Sequence, residues 1–284
     1  MNTELDPQNI KQVIVASVEE DLGTQGDITS QAIIPADAIS TADLRSRAKG
    51  VMAGAVVVDA FIHIYLPDAM KYERFVEDGD ELSDGLVLAT FTGSTQALLM
   101  IERSMLNIIS HLCGIATQTR TWVDAISGTS AKIRDTRKTL PGLRAIEKYA
   151  VRCGGGINHR FGLYDEVLIK DNHVAAAGSI ENALASVQQM NDTTVEIEID
   201  TLKQLAEAIE AGATNILLDN MPVTELQEAV TYAREHANGI VLEASGGLTL
   251  DNAHAVAATG VDYLAVGTIT HSAPALDIGL DFRS

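Results

Sequence analysis

A rhythm that begins at Ala131 constrains this chain more than any other feature. Short apolar runs rich in β-branched residues fall at Ala131–Arg134, Glu166–Ile169, Thr194–Ile199, Asn215–Leu218, Ile240–Leu242 and Asp262–Val266. Helix-patterned stretches separate them, at Leu143–Val151, Ser179–Met190, Leu202–Ala211, Val223–Ala237 and Leu250–Ala258. Gly212 and Gly260 stand where helix C-caps belong, and Thr224 and Thr249 lie near helix starts. Strands that alternate with helices in this way pair in parallel through right-handed crossovers. At least six such units, apolar on both strand faces, fit a barrel better than a short open sheet. No G-x-G-x-x-G opens a helix, so a dinucleotide-binding doubly wound sheet is not expected.

Residues 1–112 read differently. Asp6 and Pro7 make an N-cap and N1 pair for a helix through Glu20, with Ile10, Val13, Val15 and Val18 on its apolar side. Strand-like pieces at Ala42–Ala48 and Lys71–Val76, and a helix over Ala55–Tyr65, suggest a small α+β domain. A long helical segment follows over Thr95–Ser127, expected to break near Gly114.

The polar residues cluster where the barrel strands stop. The successive ends read Asp135-Thr136-Arg137-Lys138-Thr139, Lys170-Asp171-Asn172-His173, Glu196 to Asp200, Asp219-Asn220, Ser245-Gly246-Gly247 and Gly267. Barrel active sites lie at the C-terminal strand ends, so these groups should meet in one pocket. Lys170 follows a buried run, and a lysine there without a partner would be costly. Glu196 and Glu198 share one strand face and need compensating cations. Ala244-Ser245-Gly246-Gly247 and Val266-Gly267-Thr268 suit phosphate, because glycines let backbone N–H groups approach oxygens closely. His159-Arg160, after Gly154-Gly155-Gly156, adds cationic donors on a segment expected to be mobile.

Charge sharpens this reading. The chain carries a net −19, but residues 103–170 hold 11 basic and 5 acidic side chains, a local +6. A chain so acidic as a whole is a poor partner for nucleic acid or an anionic membrane. A cationic middle points instead to small, highly charged substrates with several phosphates or carboxylates, accompanied by Mg²⁺ held by phosphate oxygens and one or two carboxylates. Neither Cys/His zinc spacing nor H-E-x-x-H is present. Hydrophobic residues make up 46%, enough for a core, which excludes a disordered chain. Cys113 and Cys153 are too few for a disulfide framework. The acidic N-terminus does not read as a signal peptide. Val51–Leu66, interrupted by Asp59 and His63, is shorter than the roughly 20 residues of a membrane span. A soluble cytoplasmic protein is the expectation.

In order along the chain, Glu20-Asp21-Leu22-Gly23, Gly26-Asp27-Ile28-Thr29, Glu102-Arg103-Ser104, Asp135 to Thr139, His159-Arg160, Lys170 to His173, Leu217 to Asn220 and Ala244 to Gly247 resemble quinolinate phosphoribosyltransferases. The resemblance implies an α/β fold, with an N-terminal α/β sandwich domain over 1–112 and an open α/β barrel over 113–270. Residues 271–284 would return to the first domain. It implies a homodimer, or a higher oligomer of such dimers, with sites completed across the interface. The implied reaction joins quinolinate to phosphoribosyl pyrophosphate with Mg²⁺ in NAD biosynthesis. Arg103 would reach a neighbouring subunit's pocket, and Arg137, His159 and Arg160 would hold carboxylates. Lys138 and Lys170 would face substrate and phosphates, with Glu198 and Asp219 near the ribose hydroxyls and the metal. Ser245, Gly246, Gly247, Gly267 and His271 would take the 5′-phosphate side.

Overall fold

A computed structural model describes residues 5–66, 70–187, 190 and 193–283. The chain begins with α1 (Pro7–Leu22), α2 (Ile28–Ile33), β1 (Ile39–Ser46), β2 (Gly50–Val51), α3 (Ala55–Tyr65), β3 (Met70–Arg74), β4 (Glu81–Leu82), β5 (Val87–Ser94) and α4 (Thr95–Ala125). Next come β6 (Lys132–Arg134), α5 (Arg144–Cys153), β7 (Val167–Ile169), α6 (Asp171–Ala177), α7 (Ile180–Val187), β8 (Val195–Ile199) and α8 (Leu202–Glu210). It ends with β9 (Asn215–Asp219), α9 (Val223–His236), β10 (Val241–Ser245), α10 (Leu250–Ala257), β11 (Tyr263–Ala265), α11 (Thr268–His271) and β12 (Ile278–Phe282). Two compact units result. One takes Met1–Arg120, Thr139–Gly155 and Ile269–Ser284, and the other Thr121–Lys138 and Gly156–Thr268.

In the first unit, the Asp6 carboxylate caps α1 by accepting the Gln8 N–H at 2.9 Å, with Pro7 at the helix start. The buried stripe is Ile10, Ile14 and Val18, a single ridge at spacing four, and Val13 and Val15 are only half-buried. An antiparallel sheet runs in the order β12-β1-β5-β3, so the last strand lies beside the first, with Ala42 opposite Phe282. The expected break in α4 does not occur. Gly114 sits mid-helix because a Cβ there would stand 2.1 Å from the Pro274 carbonyl oxygen, so the glycine serves a close chain crossing. By length and composition α4 could cross a membrane. Leu98, Ile101, Met105, Ile109 and Leu112 are instead buried in the core, as in a central helix of a folded domain.

Helix α5, which reads from sequence as the first barrel crossover, packs with this unit. Its Glu147 is fully buried and bonds His111 Nε2 at 2.8 Å, while the Tyr149 hydroxyl donates to Asp78 at 2.5 Å. At its end, a Cβ on Gly154 would stand 2.4 Å from the Ala116 carbonyl oxygen. Both cysteines are free, and burial pushes the thiols of Cys113 and Cys153 up to about 12, which leaves them unreactive.

The second unit holds a six-stranded parallel sheet in the order β6-β11-β10-β9-β8-β7. Its edges are β6 and β7, yet Arg134 of β6 comes within 3.7 Å of Glu166, the residue just before β7. Strands at opposite ends of the sheet can meet only if the sheet curls, so the architecture is an open α/β barrel. Local signals in the sequence account for the helices. Thr201 with Gln204 and Thr249 with Asn252 form capping boxes at α8 and α10, and Gly212 and Gly260 take the left-handed conformation after α8 and α10. Thr224 lies inside α9, which starts behind Pro222. The short α6 follows directly on Lys170, where the sequence suggested only a strand end. Helix α7 ends at Val187, and the expected extension toward Met190 runs into residues outside those described.

Candidate active site

Side chains alternate along a strand, so the barrel register decides which residues share its interior. Glu198 is level with Leu217, Leu217 with Glu243, and Glu243 with Tyr263. One step toward the strand ends, Asp219 is level with Ser245, Ser245 with Ala265, and Ala265 with Arg134. From these two layers Glu198, Leu217, Glu243, Asp219, Ser245 and Ala265 line a cavity of about 650 Å³ at the C-terminal ends of the strands, together with the segments after β6 and β10.

Among the residues expected at the site, Arg137, Lys138, His159, Arg160, Lys170, Glu198, Asp219, Ser245, Gly246 and Gly247 all line this cavity. Gly267, beyond the end of β11, is outside the lining. Arg103 is exposed on α4 and His271 is exposed at the end of α11, and both belong to the first unit. Lys170 forms an ion pair with Glu198. Its backbone N–H donates to His173 Nδ1 at 2.9 Å, so the last residue of the Lys-Asp-Asn-His run fixes the backbone of the first. In Asp135 to Thr139, Asp135 is fully buried and the Thr136 hydroxyl accepts the Lys138 N–H at 3.0 Å.

The glycine cradle has a specific geometry. Asn220 adopts φ +53° after β9, its N–H donates to the Ser245 carbonyl at 2.8 Å, and its side chain donates to Asp219 Oδ2 at 2.7 Å. Gly246 has φ +80°, and a Cβ there would lie 2.2 Å from Asn220 Oδ1. Only glycine fits that turn.

Like charges also crowd within the lining. The Arg160 pKa is lowered by burial and then by the charge of Arg137, a combination that an anion in the cavity would relieve. Glu198 and Asp219 supply only oxygen atoms and belong to no three-ligand metal cluster among the described residues. Two carboxylates without a protein cage fit Mg²⁺ carried in with substrate phosphates.

The structure also assembles a group that the sequence reading noticed only through Glu196 and the His159-Arg160 pair. Arg134, His159, Glu166, Glu196 and Glu243 meet inside the barrel. Arg134 Nη1 donates to Glu243 Oε2 at 2.6 Å, and the guanidinium also lies 4.9 Å from the centre of the Tyr263 ring. His159 Nε2 is 3.1 Å from Glu196 and 3.6 Å from Glu243, and Nδ1 is 3.5 Å from Glu166. The segment carrying His159 is tied down: its N–H and the Asn158 amide both donate to Asp135, at 2.8 and 2.6 Å. Burial by itself would lower the His159 pKa, but the contacts with Glu166, Glu196 and Glu243 raise it to about 9. Glu243 is pushed up to about 7, first by burial and then by the charge of Glu196.

Comparisons with known proteins agree over nearly the whole chain. Residues 27–113 match the family model for the N-terminal domain of quinolinate phosphoribosyl transferase, and residues 115–281 match the C-terminal domain. Nicotinate-nucleotide pyrophosphorylase [carboxylating] of Mycobacterium leprae is 49% identical over 273 residues, covering 95% of this chain and 96% of that one. A probable enzyme of the same name from Bacillus subtilis is 45% identical, covering 92% and 89%. The crystal structure of nicotinate-nucleotide pyrophosphorylase from Ehrlichia chaffeensis superposes with a TM-score of 0.91 at 39% identity, covering 96% of this chain and 98% of that one.

Proposed function

Because this chain belongs to the quinolinate phosphoribosyltransferase family, we propose that it transfers the phosphoribosyl group of phosphoribosyl pyrophosphate to quinolinate. The products are nicotinate mononucleotide, pyrophosphate and CO2, the nucleotide-forming step of de novo NAD biosynthesis, carried out in the cytoplasm. One observation carries the reading: a single cavity is lined by four cations, Arg137, Lys138, Arg160 and Lys170, together with the Ser245-Gly246-Gly247 turn suited to phosphate.

The pyridine nitrogen of quinolinate is itself the nucleophile, so the protein's task is to position and to stabilise charge. Its lone pair forms the bond to ribose C1 as the C1–O bond to pyrophosphate breaks. Arg137 and Arg160 take the two carboxylates, which offset their mutual repulsion. Ser245, Gly246 and Gly247 receive the 5′-phosphate, and Lys138 and Lys170 face the departing pyrophosphate. Glu198 and Asp219 hold the ribose hydroxyls and would hold Mg²⁺, which when bound neutralises charge on the pyrophosphate. The C2–carboxylate bond then breaks and CO2 leaves, the electron pair stays on C2 where the adjacent cationic nitrogen stabilises it, and a proton from solvent takes the vacated position. Too firm a grip on that carboxylate would slow its loss, so orientation matters more than binding strength there. Arg103, exposed on α4, is assigned to a neighbouring copy's cavity in a homodimer.

An assay of quinolinate, phosphoribosyl pyrophosphate and Mg²⁺ for nicotinate mononucleotide and CO2 tests this reading. Turnover of nicotinate in preference to quinolinate, or no product from either, overturns it. Arg137→Ala should lower kcat/KM for quinolinate by roughly a thousandfold with the fold intact, since a buried carboxylate partner is lost. Near-normal turnover in that variant would remove the role given to Arg137.

A further inference from the structure

Arg137 and Arg160 approach the proposed substrate from the cavity wall, but nothing in that account explains why three carboxylates are gathered behind His159. Glu196 and Glu243 are essentially inaccessible, Glu166 and His159 nearly so, and a single guanidinium, Arg134, reaches all three acids at 2.6 to 3.8 Å. The group could be read as a metal site, since His159, Glu196 and Glu243 offer ligand atoms within 4.8 Å of one another. Arg134 already supplies the cation at Glu243, however, and a second cation would have to displace or repel it.

Resting on the quinolinate reading, we infer that Glu243 is a positioning residue for the proposed reaction: hydrogen-bonded to Arg134, it fixes a carboxylate oxygen 3.6 Å from His159 Nε2, and its charge, beside the nearer Glu196 at 3.1 Å, orients the protonated ring. The sequence places Glu243 two residues before Ser245 on one strand face, so the buried end of β10 anchors His159 while its outer end meets phosphate. Every group around the ring contributes. Glu196 on β8 and Glu243 on β10 face Nε2, and Glu166 before β7 faces Nδ1. Arg134 on β6 and Arg160, the next residue, supply positive charge nearby.

The Arg160 N–H also points at Nδ1 from 2.7 Å, which favours a lone pair there, whereas Glu166 favours a proton. The proton wins on charge balance: three acids against one guanidinium leave the group short of positive charge, and an imidazolium supplies it. Protonation therefore exchanges the amide contact for Glu166, and in both states Nε2–H faces Glu196. The raised pKa of His159 has the same origin.

The test is an NMR titration of isotopically labelled histidine in the folded, substrate-free chain, with the His159 signal identified by its loss in His159→Asn. In the unsubstituted chain the midpoint should lie near 9. In Glu243→Gln it should fall by about one pH unit, with a roughly tenfold higher KM for quinolinate and an almost unchanged KM for phosphoribosyl pyrophosphate. The alkaline limb of kcat/KM for quinolinate should fall with it. Glu166→Gln is the second variant should Glu243→Gln fail to fold, and it carries the same expectation. An ordinary His159 midpoint that neither variant moves, or a folded variant with unchanged quinolinate KM and pH profile, overturns the inference. Absence of quinolinate turnover in the unsubstituted chain overturns the function instead, and the titration distinguishes the two.

Discussion

Two buried carboxylates, one in each unit, show how the balance of neighbours decides what a buried charge does. Asp43 on β1 receives Arg283 Nη2, Arg45 Nη2 and the Thr90 hydroxyl, each at 2.7 Å. Two guanidiniums converge on one acid, and its pKa falls to about 2, chiefly through the Arg283 hydrogen bond. Glu243 shares a single guanidinium with two other acids, and its pKa rises to about 7. Asp43 acts as a clasp: Arg283 follows β12, so the pair fastens the end of the last strand to β1. The barrel group is short of positive charge and needs protons. A fold that required only stability would gain little from three buried acids, because replacing such groups with apolar residues is often neutral or better.

The largest effect should come from breaking the barrel group at its one permanent cation. Arg134→Met leaves three buried acids around one ring, and roughly 3–5 kcal/mol of stability should be lost in a denaturant titration. A loss below about 1 kcal/mol would put the barrel group on the level of a surface ion pair and end the contrast with Asp43.

pH separates the two regions in opposite directions. Asp43 has a depressed pKa, so its contribution is present above its ordinary value of 3.8 and is lost as pH falls toward about 2. His159 has a raised pKa, so its contribution is complete below 6.5 and disappears as pH rises through about 9. Glu243 adds to that slope: an acid that keeps its proton up to about 7 loses favourable linkage between 4.5 and 7. Hydrogen exchange should therefore find the amides of β1 and β12 weakening at the acid end and those of β8 and β10 at the alkaline end, by on the order of a few kcal/mol at most. Weakening of both sheets at the same end would contradict the assignment.

How much of this the sequence reveals depends on how local the signal is. Strands buried on both faces stand out as β-branched runs, and helix caps stand out by spacing, so the alternation of the second unit is legible residue by residue. The end of β10 is legible too: Ser245-Gly246-Gly247 marks where the strand stops, and β10 runs to Ser245. The barrel acids are harder to read, since Arg134, the cation that compensates Glu243, lies 109 residues away in the chain. The motif residues were legible because the chemistry concentrates at strand ends, and the register brings most of them into one cavity. Gly114 and α5 misled for a related reason: a chain crossing at Pro274 and the packing of Glu147 against His111 are tertiary contacts that no window of sequence contains. The pairing of β12 with β1 is equally non-local.

The smallest expected effect sharpens the comparison most. Arg283→Met removes one of the two guanidiniums from Asp43, but Arg45 and Thr90 remain at 2.7 Å and the Arg283 side chain is 56% exposed. Near neutral pH, the Tm should fall by no more than about 2 °C, because the acid keeps a charge-assisted partner. The consequence should appear at low pH, where the Asp43 carboxylate, held less firmly, protonates sooner and the acid limb moves upward. Adding Arg45→Met would strip both guanidiniums from Asp43 and make it resemble Glu243, a buried acid with too few cations. The paired variant should then lose far more stability than the two single changes together, since its neighbours share one network. If the losses simply add, each arginine binds Asp43 independently, and the number of cations around a buried acid is not what distinguishes the two regions.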